Sequence, residues 1–267
     1  MNAPKEYTHK YFLTAGECNA QQQMPITLIA QRVIEVATEH ANILGVGYAD
    51  LIKSNVGWVL SRLSIEMTRY PGINEEYSLT TWIEGFNRLY SERNMEIQDG
   101  NGQTVGYVRS IWVAIDMQTR RPSDLTSISW LAETVSDRPC PIAKQSRLLP
   151  IKPEEATLSA QYHFKVSDID FNRHVNSVRY MDAFLDQWDL EHFDNNDIAR
   201  FEIQYLHETH FGDKAYISTK QVENIAETEI LVNNTANCRA KIEFRNKKMT
   251  QKLKFSLHFV ANLREII

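Results

Sequence analysis

The feature that most constrains this chain is a repeated order of elements. A short polar-aromatic strand candidate, Tyr7–Thr14, precedes an apolar stripe at three- and four-residue steps: Ile29, Val33, Val36, Ala37, His40, Ala41 and Leu44. Such spacing predicts one face of a long helix, and Gly45 and Gly47 mark its end. From Trp58 to Tyr70 the period changes to two. Leu63, Ile65 and Met67 alternate with Arg62, Ser64, Glu66 and Thr68 until Pro71-Gly72 stops the run. Further strands are predicted at Tyr77–Gly85, Leu89–Asp99 and Val105–Asp116, with a hairpin turn at Asp99-Gly100-Asn101-Gly102. The second half repeats the order: a strand at Tyr162–Val166, then a helix stripe of Val178, Met181, Phe184, Leu185 and Trp188. Strands follow at Arg200–His207, Lys214–Glu223, Thr228–Asn233, Arg239–Arg245 and Leu253–Val260. Element order repeats and residue identities do not.

Between the halves, Arg120 to Glu155 carries Pro122, Pro139, Pro141, Pro150 and Pro153, which excludes a long helix or central strand there. The expectation is an α+β protein of two units, each an antiparallel sheet wrapped on one long helix. The boundaries are 1–125, a linker at 126–158, and 159–267. Composition agrees with a packed core, since 43% of the 267 residues are hydrophobic and 24% charged. A net charge of −5 argues against a nucleic-acid partner. No apolar run is long enough to span a bilayer. Cys18, Cys140 and Cys238 lie far apart without metal spacing, and the first residues lack a signal or transit pattern, so a cytoplasmic location is expected.

Chemistry concentrates in Val166-Ser-Asp-Ile-Asp-Phe-Asn-Arg-His-Val-Asn-Ser-Val-Arg-Tyr-Met181, between a strand and the second helix. Taken singly, Asp168, Asp170, Asn172 and Asn176 read as turn and cap residues, and His174 as a structural histidine. Together they place carboxylate and imidazole beside a helix N-terminus. There, unpaired N–H groups at Asn176 to Val178 would polarise a carbonyl. The first half has no such cluster; His40 and Asn42 fit a helix end.

The stretch Asp170-Phe-Asn172-Arg-His174-Val-Asn176-Ser-Val-Arg-Tyr180 resembles the hallmark segment of the acyl-acyl carrier protein (acyl-ACP) thioesterases. So do Trp58–Pro71, Thr81-Trp82, Ser110–Asp116 and Thr119-Arg120-Arg121. The resemblance implies two tandem hotdog domains and hydrolysis of a fatty acyl-ACP thioester in fatty acid biosynthesis; the sequence carries no glycine-rich phosphate loop or zinc motif, so no cofactor or metal is expected. The resemblance carries the catalytic roles onto Asp170, Asn172, His174 and Glu208. Plant members have Cys after that Glu, whereas Thr209 stands here, so a thiolate nucleophile is excluded at this position. Attack would come from water, with Asp170 or Glu208 as base, or from Asp170 itself.

The resemblance also implies an acidic carrier protein as partner, which an acidic chain must attract locally. Arg239 to Lys254 and the set Arg120, Arg121, Arg138, Lys144, Arg147 and Lys152 are the basic candidates, against the plainer reading of a solvated sheet face and loop. A hotdog acyl-CoA thioesterase, or an acyl-binding module without turnover, are the alternatives. A homodimer is left open, because single hotdog units pair and two in one chain can satisfy that pairing internally.

Overall fold

The computed structural model describes residues 4–247, so the strand expected at Leu253–Val260 lies outside the described residues. The first half runs β1 (Glu6–Phe12), α1 (Ile26–Ile43), α2 (Tyr48–Leu51), β2 (Val56–Met67), β3 (Glu76–Phe86), β4 (Tyr90–Asp99) and β5 (Thr104–Asp116). The second runs β6 (Leu158–His163), α3 (Ser177–Leu185), α4 (Leu190–Asn195), β7 (Asn196–Tyr205), β8 (Lys214–Val222), β9 (Ile225–Val232) and β10 (Thr235–Asn246). The expected order holds, with the second long helix reduced to the nine residues of α3 against 18 in α1. Helix α1 stops because Gly45 adopts φ +73°, a left-handed position. There Gly45 N–H donates to Asn42 O and Val46 N–H to Ala41 O, closing the last turn.

The halves do not carry separate sheets. The ten strands of the described residues form one antiparallel sheet in the order β1-β3-β4-β5-β2-β7-β10-β9-β8-β6. The seam is β2 against β7, with Arg62–Glu66 opposite Arg200–Gln204. Period-two alternation then sorts the seam by face. Leu63 meets Ile203 and Ile65 meets Phe201 on the helix side, where all four are buried. These join Ile29, Val33, Met181 and Phe184 from α1 and α3 in one continuous core.

On the other face Ser64 meets Glu202 and Glu66 meets Arg200. That face is polar yet largely covered, because the proline-rich linker crosses it. Arg109 donates to Cys140 O and Ile142 O, and Arg200 to Ala143 O. Ile151 N–H donates to Glu229, and Thr157 N–H to Thr219 O at the far side. A chain without regular structure leaves its own carbonyls free to accept these bonds. Trp82, which sequence alone leaves as generic core, is buried here with Cys140 and Ile142, on a patch of its own under the linker. Among the described residues no helix is long and apolar enough to cross a membrane.

Arg200 ties three parts together: its guanidinium contacts Glu66 of β2 at 2.7 Å, Glu202 of β7 at 2.6 Å and the linker carbonyl. Arg200→Met leaves the buried Glu202 carboxylate unpaired. Its expected cost is about 3–5 kcal/mol in chemical denaturation, and Arg200→Met/Glu202→Leu should recover most of it. A single variant as stable as the parent would contradict this account of the seam.

Candidate active site

The segment at 168–176 folds by local hydrogen bonding. Asp170 Oδ1 accepts from the backbone N–H of Asn172 at 2.8 Å and of His174 at 3.2 Å, and Asp170 N–H donates back to His174 O at 2.8 Å. Arg173, at φ +66°, takes the left-handed corner of this tight loop. Buried Asp168 accepts from Lys165 N–H at 2.7 Å and from the Tyr162 hydroxyl, while its carbonyl accepts Asn176 N–H. Asn176 caps α3 by accepting Val178 N–H at 2.9 Å. Tyr205 OH donates to Ser177 O and fixes the helix start against β7.

These bonds correct one expectation. Of the N–H groups at Asn176 to Val178, those of Asn176 and Val178 are already engaged, and only Ser177 N–H has no partner among the described residues. Asn172 is held by its backbone, and its side-chain amide makes no hydrogen bond among the described residues.

His174 and Glu208 do meet. His174 pairs as a backbone bridge with His210, and its Nε2 lies 3.5 Å from Glu208 Oε2. The His210 ring stands edge-on to His174, centroids 4.9 Å apart. The other Glu208 oxygen is held by Arg120, one of the linker cations expected to attract an acidic partner. His174 titrates below the ordinary histidine range. Burial is the main cause, then the charge of Arg120 and the neighbouring His210, against the opposing Asp170 carboxylate. Thr209 has other partners. It is fully buried, its Oγ1 accepts from Asn237 at 2.8 Å, and it lies beside the Tyr180 hydroxyl.

Two first-half contributions escaped sequence reasoning. Arg120 is one. The other is Tyr48 of α2, which packs edge-on against Phe171 with centroids 5.6 Å apart, both side chains largely exposed. The only sequence signal was the Thr119-Arg120-Arg121 segment of the resemblance.

The strand set expected to attract an acidic partner is paired within the fold at each described position, whereas only Arg120, Arg138 and Lys144 of the linker set are paired and Arg121, Arg147 and Lys152 make no ion pair among the described residues. Arg239 pairs with Glu229, Lys241 with Glu243, Arg245 and Lys247 with Asp197, Arg138 with Glu6 and Glu96, and Lys144 with Glu84 and Glu92. Lys248, Lys252 and Lys254 lie outside the described residues.

Comparison with known proteins agrees across the chain. The profile of the acyl-ACP thioesterase N-terminal domain matches residues 4–128, and that of the C-terminal domain matches residues 151–248. The crystal structure of an acyl-ACP thioesterase from Bacteroides thetaiotaomicron is 34% identical with a TM-score of 0.84, over 90% of this chain and 98% of that one. Oleoyl-acyl carrier protein thioesterase 2, chloroplastic, from Arabidopsis thaliana is 24% identical over 94% of this chain and 72% of its own length. The palmitoyl-acyl carrier protein thioesterase of Gossypium hirsutum is 22% identical over 87% of this chain, which spans 59% of that relative.

An imidazole kept neutral is the expected outcome of this geometry. Following the His174 ring protons by NMR against pH should give a midpoint below that of histidine in an unstructured peptide. A midpoint at or above it would contradict the burial and charge arrangement described here.

Proposed function

Because the chain belongs to the acyl-ACP thioesterase family, we propose that it hydrolyses the thioester of a fatty acyl chain carried on acyl carrier protein, and that Asp170, Asn172, His174 and Glu208 form its site. The observation that carries the assignment is His174 Nε2 facing Glu208 at 3.5 Å, on a loop that Asp170 ties. A neutral imidazole accepts the proton of a water as the water oxygen attacks the thioester carbonyl carbon. Glu208 offsets the positive charge that then grows on His174. The C–S bond breaks, the carrier thiol leaves with the proton, and a free fatty acid remains. Ser177 N–H, at the positive end of α3, is the donor left for the carbonyl oxygen.

In this reading Asp170 shapes the loop, and the Asn172 amide is left for the substrate. The division of the chain into two units joined by a linker at 126–158 belongs to the same proposal. The first unit would supply the acyl-chain surface, and the second would carry the loop. The plant relatives are named as chloroplastic proteins. For this chain we propose a cytoplasmic setting, supported by three cysteines that are all free.

The test is hydrolysis of one acyl chain presented on carrier protein and on coenzyme A. Preference for the carrier form is expected, and equal or better use of the CoA ester would favour a CoA hydrolase instead. His174→Ala should lose about 100- to 10,000-fold in kcat. Asp170→Asn retains an oxygen for the two loop N–H groups, so its loss should be smaller than that of Asp170→Ala. Equal inactivation of both, with label from heavy-oxygen water found in the protein after one turnover, would indicate attack by Asp170 itself.

A further inference from the structure

We propose that Arg120, a residue of the first half, is a positioning residue of this reaction, clamping Glu208 against His174 across the seam of the sheet. The inference rests on the hydrolase reading above and adds a component from outside the second-half loop.

Arg120 stands in the turn that follows β5. Asp116 builds that turn: its Oδ1 accepts from Gln118 and Thr119 N–H, its carbonyl accepts Arg120 N–H at 2.8 Å, and Asn55 holds its Oδ2 at 3.0 Å. Arg120 itself sits at φ +58°, a left-handed conformation that a side chain with a Cβ rarely adopts. Its Nη1 rests on Met117 Sδ, its Nη2 holds Glu208 Oε1, and its Nε is buried without a hydrogen-bond partner. A half-exposed ion pair contributes little to stability, whereas the backbone position and the orphaned Nε both cost some. Unfavourable local choices held in place by surrounding structure are typical of functional positions.

The clamp has an electrostatic consequence. His174 is faced by Asp170 from its own loop, by Glu208 and His210 from the β7–β8 connection, and by Arg120 from the first half. Two carboxylates alone would favour imidazolium. The guanidinium counters them and helps keep the base unprotonated, consistent with its place among the causes that lower the His174 titration. Because β5 pairs with β2 and β2 with β7, Arg120 reaches Glu208 only when the halves share one sheet.

The experiment compares wild type, Arg120→Lys, Arg120→Gln, Glu208→Gln and the Arg120→Gln/Glu208→Gln double variant in the full chain. It uses kcat and KM for an acyl carrier substrate across pH, His174 NMR titration, and thermal melting. Arg120→Gln should lose about 10- to 100-fold in kcat with KM within about two-fold. The acid limb of its pH profile and its His174 midpoint should both move to higher pH. Arg120→Lys should restore most of the rate, and the double variant should be no more than about two-fold slower than Glu208→Gln alone. Unchanged kcat and midpoint in Arg120→Gln, multiplying losses in the double variant, or a rise confined to KM would each overturn the proposal. Should Arg120→Gln fold poorly, the Arg120→Lys profile decides: wild-type rate and limb support the clamp, and inactivity in a stable protein refutes a charge role. Wild type inert toward every acyl thioester, with the midpoint still shifting in Arg120→Gln, would sink the hydrolase reading and leave the clamp standing.

Discussion

The pairing of β2 with β7 is the contact on which the rest of this structure depends. Five residue pairs, Arg62–Glu66 against Arg200–Gln204, convert two half-sheets into one sheet of ten strands. Antiparallel pairing satisfies backbone groups on edges that would otherwise be open, and it aligns the alternating faces of both halves. The apolar residues of both halves thereby fall on one side and share a core with α1 and α3. The polar residues fall on the other, where charge pairs around Arg109, Arg200 and Arg239 and the linker backbone meet one another's hydrogen-bonding needs.

The seam also makes the candidate site composite. Glu208 follows β7, and the turn bearing Arg120 follows β5, two strands away across the seam. Tyr48 of α2 meets Phe171 of the loop. The second half supplies the imidazole, the carboxylate and the loop, and the first supplies the cation and the Tyr48 ring packed on the loop. Within the loop, most of the polar cluster is occupied in holding shape: Asp168, Asp170 and Asn176 spend hydrogen bonds on backbone N–H groups. That leaves a smaller group, His174 with Glu208, at the chemical centre of the proposal.

The elements follow from periodicities written along the chain. The three- and four-step stripe from Ile29 gave α1, the alternation through Leu63, Ile65 and Met67 gave β2, and the turn at Asp99–Gly102 gave the β4–β5 hairpin. The sequence also marked the segment from Asp170 to Asn176, because polar side chains bunched before a helix are visible without knowing what faces them. Long-range packing alone makes the two sheets one, lays the linker across the sheet's second face and brings Arg120 onto Glu208. Local period depends on neighbours three or four residues away, whereas these contacts join residues far apart in the chain, among them Arg120 with Glu208 and Glu66 with Arg200. Charge alone could not distinguish a surface lysine or arginine from one spent on a buried carboxylate. That distinction belongs to the packing of the opposite half.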